Sequence, residues 1–355
     1  MFKVQTAVFC ALTLTASLAA EEVIGGPYAV NVTSRSATIA WVVKTGDVKV
    51  NVSGKETLSV PVLRCDRISL AGLKPGQVVQ YDALNGKSEG KGSFKTPAAP
   101  GATFDFVVFG DTRTRHELHR KITGAIEKLS LDFVIHTGDL VTDGYDAAQW
   151  PVFFDIERNL LKKVAFYPVL GNHERNSRQF YDFFNVTTPY YSFDWGSAHF
   201  ALLNSDIGNV AISTAAKDAF WNEQLRWLDE DLAKAQKAEF RFVVMHHPPM
   251  TAVKRRQGED KAVAQTMPIF EKHKVQAVFC GHDHNYQRHI KNGVTYIITG
   301  GGGAPLYPVD APIPGVTQKV ESTEHYVKVR VAPGKTSIHA VALDGHTIEE
   351  VELKP

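Results

Sequence analysis

Five short motifs along this 355-residue chain gather residue types that do chemistry: Gly110-Asp111, Gly138-Asp139, Gly171-Asn172-His173-Glu174, His246-His247-Pro248-Pro249 and Gly281-His282-Asp283-His284. Each follows an apolar run of strand length. Alone, a Gly-Asp pair is a turn whose carboxylate bonds nearby backbone, and a single histidine is a packing residue. Five in succession, built from carboxylate, imidazole and amide groups, have the composition of a site for borderline divalent or trivalent metals. Positions just past strand ends suit such a site, because loops converge there while strands stay rigid.

Spacing sorts the ligands. In extended backbone, residues two apart face the same way, so His282 and His284 share one aim and Asp283 points elsewhere. By the same rule one of His246 and His247, and one of Asn172 and His173, reaches the metal while its neighbour packs or supports. With Asp111 and Asp139 that makes six ligands, too many for one ion that must keep a position open for water. The count implies two ions bridged by a carboxylate, and iron, manganese and zinc all suit these donors. Arg113, two residues past Asp111, faces the same place in extended backbone. A guanidinium cannot ligate a cation, but it is always charged and forks onto phosphate. Arg113 therefore either clamps a substrate phosphate or pairs with a carboxylate such as Asp143.

The elements that must position these groups alternate apolar runs with amphipathic stretches, which gives a layered α/β class. Strands are expected at Phe104–Phe109, Phe133–His136, Ala165–Leu170, Phe200–Leu203, Phe240–Met245, Val275–Phe279 and Thr295–Ile298, with closing strands in Val327–Val351. Helices are expected at Glu117–Leu129 and Phe220–Ala235. Before residue 100 the texture differs. Short alternating runs such as Ala37–Val43, Val48–Val52 and Val78–Tyr81 read as a small all-β sandwich. There, Leu73-Lys74-Pro75-Gly76 followed by Tyr81, and Ser36 to Trp41, resemble fibronectin type III domains. Pro97 to Gly101 reads as a linker. The expected division is a signal peptide at 1–20, the β-sandwich at 21–98 and the α/β domain at 102–355.

The signal reading rests on Lys3, the apolar run Ala7–Leu14, and Ala19-Ala20 ahead of Glu21. It implies a secreted or periplasmic protein with no membrane attachment after cleavage. Of 39 basic and 38 acidic residues, cleavage removes only Lys3, and so even a balance gives no sign of nucleic-acid binding. Cys10 leaves with the signal. Cys65 and Cys280 lie far apart, which argues against a disulfide framework, and Cys280 reads as a small buried hydrophobe. Gly300–Gly303 lacks the Lys and Ser or Thr of a phosphate loop and reads as a tight turn near the site. His136, His199 and His289 either support the site or pack.

The ordered set of five motifs resembles the calcineurin-like metallophosphoesterases, and the preceding β-sandwich resembles that of the purple acid phosphatases within them. The resemblance implies two mixed β-sheets flanked by helices, an αββα sandwich with metals at the strand ends. It also implies that Asp139 bridges, that Asp111 and His284 hold one ion, and that Asn172, His246 and His282 hold the other. His173 matches the family's outer histidine, which binds a phosphate oxygen or protonates the leaving group. Two positions depart from the pattern. Arg113 stands where metallophosphoesterases have histidine, and Thr142 where purple acid phosphatases have a tyrosine ligand. One ion is thus a ligand short, a gap for water or His116, although His116 reads as a solvated helix face. Without the tyrosine no purple absorption band is expected. The loop Met250–Asp260 offers Lys254, Arg255 and Arg256 in place of a histidine used on substrate.

The leading reading is hydrolysis of small phosphate monoesters. Two ions acidify water and clamp phosphate oxygens through an in-line displacement, with His173 as the general acid. Phosphodiester or nucleotide hydrolysis on the same core is the second reading. A decayed surface protein that binds through its sandwich domain is the third.

Overall fold

The computed structural model describes residues 21–51, 58–259 and 261–355. The expected signal segment at 1–20 lies outside the described residues, as does Val52 at the end of an expected strand.

Five strands come first: β1 (Glu22–Val30), β2 (Ser36–Val50), β3 (Leu58–Ala71), β4 (Val78–Asn85) and β5 (Ser88–Lys95). The first three make an antiparallel sheet and the last two a hairpin. The period of two decides the packing. Val79, Tyr81 and Ala83 of β4 turn to the core, while Val78 and Leu84 face water. The runs at 37–43 and 48–50 belong to one long strand. A register shift between Lys44 and Gly46 leaves Thr45 as the extra residue of a bulge, and β2 pairs with β3 on both sides of it.

Two further sheets form the body. One has the order β18-β17-β16-β6-β7-β8, from β6 (Phe104–Phe109), β7 (Phe133–His136), β8 (Ala165–Pro168), β16 (His325–Ala332), β17 (Lys335–Ala342) and β18 (Thr347–Leu353). The other has the order β15-β13-β14-β12-β11-β10-β9. Its strands are β9 (Tyr191–Trp195), β10 (Ala198–Leu202), β11 (Phe240–Val244), β12 (Ala277–Cys280), β13 (Tyr286–Lys291), β14 (Val294–Thr299) and β15 (Thr317–Glu321). Both are mixed: β6-β7-β8 and β10-β11-β12-β14 run parallel, with antiparallel strands outside them. Largely buried on both faces, the parallel strands are mainly apolar, with Asp105, His136, His199, Arg241, Thr295 and Thr299 as the polar exceptions.

Alternate residues explain the layers. Phe104, Phe106, Phe133, Phe200, Phe242 and Phe279 fill the space between the two sheets. Phe106 stacks on Phe133 at 4.9 Å and meets Phe200 edge-on at 5.3 Å. Trimming such a ring to alanine costs about 3–5 kcal/mol. The intervening Val107, Phe109 and Val134 face outward under α1 (His116–Ile126), α2 (Trp150–Leu161) and α3 (Arg178–Phe184). On the far side Ala201, Val243, Val278 and Cys280 lie under α4 (Thr214–Lys234) and α5 (Met267–Lys272). Cys280 is fully buried there, as expected of a small hydrophobe.

The N-terminal strands share these clusters. Ala29, Ile39, Trp41 and Phe94 join the layer between the sheets, and Tyr28, Val30 and Ala40 join the layer beneath α2 and α3. Tyr28 stacks on Phe154 at 5.4 Å and its hydroxyl donates to Phe183 O at 2.7 Å. Gly25 sits so close that an added Cβ would lie 2.6 Å from the Phe154 ring. No helix among the described residues is long and apolar enough to cross a membrane.

Candidate metal centre

β6, β7 and β8 from one sheet and β11 and β12 from the other each run out into one of the five motifs. Their loops are tied to one another by backbone bonds. Asp111 N donates to Gly138 O and Thr112 N to Asp139 O, both at 3.0 Å, and Gly281 N donates to His246 O at 3.0 Å. Three of the predicted ligands sit in the left-handed region, Asp111 at φ 60°, Asp139 at φ 58° and His282 at φ 69°. A residue with a side chain pays about 1–3 kcal/mol for such a conformation, which persists where the surroundings force it and gathers at functional sites. Gly171 is needed for close approach, since a Cβ there would fall 2.2 Å from Asp139 Oδ1.

The six predicted ligands converge. Nε2 of His246 and Nδ1 of His282 are 3.2 Å apart, and each lies 3.1 Å from Asn172 Oδ1. Asp139 Oδ1 is 3.4 Å from His246 Nε2, while Asp111 Oδ1 is 3.4 Å from His284 Nε2. His282 N also donates to both carboxylate oxygens of Asp111, at 3.2 and 3.0 Å. Asp111, Asp139 and His246 form a group whose ligand atoms lie within 4.8 Å of one another. His246, His247 and His282 form a second such group. Of the adjacent histidines, His246 meets Asp139 and Asn172, whereas His247 Nδ1 is bonded to Ser205 Oγ at 3.0 Å.

The histidine protons are assigned by their partners. A backbone carbonyl only accepts, so His246 Nδ1 donates to Thr137 O at 2.8 Å and His284 Nδ1 to Pro305 O at 2.6 Å. Both Nε2 lone pairs are thereby turned toward the carboxylates, the form a metal needs. Burial holds His246 neutral by lowering its pKa to about 3, and His284 by lowering its pKa to about 4. Burial, then the charge of Asp139, pushes Asp111 well above the usual carboxylate range, opposed by Arg113. Neutral imidazoles, an amide oxygen and two buried carboxylates facing one guanidinium make a donor set that fits cations.

Around this centre the other predicted residues take separate places. His173 stands at the rim, its Nδ1 donating to Thr142 O at 2.6 Å and its Nε2 lying 3.8 Å from Asp139 Oδ2. Arg113 Nε pairs with Asp139 Oδ2 at 3.2 Å, and Asp143 pairs instead with Arg175. Thr142 Oγ1 donates to Arg113 O. His116, the one side chain weighed for the gap in the ligand set, is exposed at the start of α1, as expected of a solvated helix face. Asp283 points away, accepting from Thr251 and Gln287. His136 accepts from Gly138 N through Nδ1 and donates to Thr112 Oγ1 through Nε2, supporting two motif loops. His199 is spent on Asp194 and Asp231, and His289 on Thr317 and Gln287. The turn at Gly300–Gly303 does lie beside the motifs, with Gly302 N on Gly110 O and Ala304 N on Asp111 O.

Three groups were given no role by sequence reasoning. Glu174 is fully buried and accepts from the N–H groups of Asp139, Leu140, Val141 and Gly171, clamping the loop that carries Asp139. Burial and neighbouring Asp139 push its pKa up, and those donors pull it back. Tyr307 stacks on His284 at 4.1 Å and takes the guanidinium of Arg255 over its ring at 4.2 Å. Asn204-Ser205-Asp206 follows β10 as the motifs follow the other strands, and that position was the available signal. Burial raises Asp206 to about 7. Arg256, flagged only by its loop, contacts His282 Nε2 with Nη1 and faces Asp283 Oδ1 at 3.3 Å as an ion pair.

Comparison with known proteins agrees with this geometry. The profile of the calcineurin-like phosphoesterase family matches residues 104–286. An uncharacterised protein of Mycobacterium tuberculosis is 26% identical over 333 residues, covering 80% of this chain but only 60% of its own length. Tartrate-resistant acid phosphatase type 5 of Sus scrofa is 25% identical over 246 residues, 58% of this chain and 72% of its own. The solved purple acid phosphatase PPD1 of yellow lupin shares the fold with a TM-score of 0.71 at 18% identity, over 92% of this chain and 74% of its own. The two mixed sheets under helices and the motifs at their strand ends thus have one explanation: the chain belongs to the calcineurin-like phosphoesterases.

Proposed function

We propose that this protein hydrolyses small phosphate monoesters with two metal ions. Asp139 would lie between the ions, Asp111 and His284 would hold one, and Asn172, His246 and His282 the other. The observation that carries the reading is the locking of His246 and His284 onto Thr137 O and Pro305 O, which aims two neutral lone pairs at buried carboxylates. When bound, the ions supply acidity to water and counter-charge to phosphate.

The chain's own residues do the rest. Two guanidiniums flank the centre, Arg113 beside Asp139 and Arg256 beside His282. They match the double charge of a monoester better than the single charge of a diester, and Arg113 would exchange Asp139 for a phosphate oxygen when substrate binds. His173 keeps Nδ1 on Thr142 O, so a second proton would sit at Nε2, 3.8 Å from Asp139 Oδ2 at the rim, and could pass to the departing alkoxide. Passage through a secretory signal at 1–20 remains part of the proposal, as do the division at 21–98 and 102–355 and the kinship of the N-terminal strands with fibronectin type III.

The test is hydrolysis of para-nitrophenyl phosphate beside its bis-ester on purified protein with metals quantified. Turnover of the monoester with about two metals per chain, abolished by Asp139→Asn, is the expected result. Faster turnover of the bis-ester would replace the reading with a diesterase. Metal uptake without turnover of either would favour a binding protein.

A further inference from the structure

A cavity of about 470 Å³ adjoins the centre on the side of His282, within the range of pockets that hold small ligands. Its walls are mostly apolar, with Pro248, Pro249 and Met250 following β11 on one side and Pro312, Ile313 and Pro314 on the other. The polar groups nearest the centre are already engaged, and Lys261, which also lines the cavity, is exposed to water. Thr251 Oγ1 donates to Asp283 Oδ2, and the Gln257 amide nitrogen donates to Thr251 O at 3.1 Å and Ala311 O at 3.0 Å. Arg256 stands at the mouth, held by His282, Asp283 and Tyr307.

Resting on the phosphomonoesterase reading, we propose that this cavity receives the alcohol part of the substrate and selects a flat apolar ring. The substrate class is then an aryl phosphate rather than a sugar or glycerol phosphate. A sugar would carry several hydroxyls into a space whose inner donors and acceptors are committed, and each stranded hydroxyl weakens binding. A ring needs no such partners. The hydrocarbon faces of the proline rings and the Ile313 and Met250 side chains would cover it, and apolar area removed from water drives the association. With its phosphate at the metals, the substrate would extend past Arg256, which sets the direction in which the ring leaves the centre.

Leaving-group reactivity would confuse a comparison of turnover rates, so the test is calorimetric binding of unreactive phosphonates to the metal-loaded protein. Phenylphosphonate is expected to bind about 10- to 100-fold more tightly than methylphosphonate. Ile313→Asn, a neutral polar change at a half-buried wall position, should remove most of that preference by weakening phenylphosphonate. Met250→Ala should weaken phenylphosphonate alone by several-fold, about what the loss of one or two buried methylenes gives. Equal affinity for the two phosphonates, or a preference untouched by both variants, overturns the assignment of the cavity. If neither phosphonate binds the loaded protein, the phosphatase reading itself falls and takes the cavity's role with it.

Discussion

At the residue scale the centre depends on where protons are kept. His173 lies outside the cluster of ligand atoms, with its Nδ1 spent on Thr142 O. His173→Ala should therefore keep its metals, measured by elemental analysis, and lose about 10²–10⁴-fold in kcat as general acids do. Loss of metal in that variant would move His173 into the coordination sphere. Arg113→Lys keeps the charge beside Asp139 but not the planar fork. It should raise KM for a monoester about tenfold or more, the loss of a charge-assisted hydrogen bond, and an unchanged KM would leave Arg113 as a partner of Asp139 alone. That the candidate ligand side chains would gather was legible in their types and their order past the strand ends, but parity was not the reason, since His282 stands at φ 69° and the chain there is not extended. The proton assignments were not. They depend on carbonyls 109 and 21 positions away in the sequence, a relation only the folded chain creates.

Elements were readable where burial imposes a period and hidden where water removes it. The seven body strands before residue 300 that were expected are all present, within a few residues. α4 begins at Thr214, six residues before the expected Phe220, with Ser213 Oγ accepting from Ala216 N as its cap. Its first turn is mostly exposed, so no apolar stripe announces it. α2 was invisible as an amphipathic pattern because Trp150, Phe153, Phe154, Ile156, Leu160 and Leu161 bury much of its circumference. The loop after β7 gives a test at this scale. Glu174→Gln replaces one oxygen by an amino group that donates, so it meets backbone N–H groups with the wrong polarity. Metal affinity should drop about 10- to 100-fold, as for other groups that orient ligands. Stability should fall by about 1–3 kcal/mol, read by calorimetry of metal-free protein. Unchanged values for both would show that the loop holds its shape without Glu174.

Across the whole molecule, the proposed ligands come from strand ends of both body sheets, so bound ions would staple the sandwich. At a free metal concentration 100 times the dissociation constant the gain is about 2.7 kcal/mol. A chelator should then lower Tm by several degrees, and an unmoved Tm would mean the fold is indifferent to metal. Acid acts on buried imidazoles elsewhere. Burial lowers His289 to about 4, against about 6.5 in the unfolded chain. The unfolded state therefore takes up the proton first, and stability falls as pH drops from 6.5 to 4 and levels off below. Between pH 7 and 5 this group alone should remove about 2 kcal/mol. In urea unfolding His289→Gln should lose correspondingly less over that interval, and an equal loss would place the acid sensitivity elsewhere. The layered α/β class was legible from alternation and the pair of mixed sheets only through the family resemblance, but how closely the parts join was not, because Tyr28 meets Phe154 and Phe183 across more than a hundred intervening residues. That contact, with Gly25 pressed on the same phenylalanine, changes what the stretch from Pro97 to Gly101 means. A protease that nicked the chain there would release no fragment. The two pieces should co-elute on a sizing column and keep whatever turnover the intact chain has, the N-terminal strands behaving as a docked subunit.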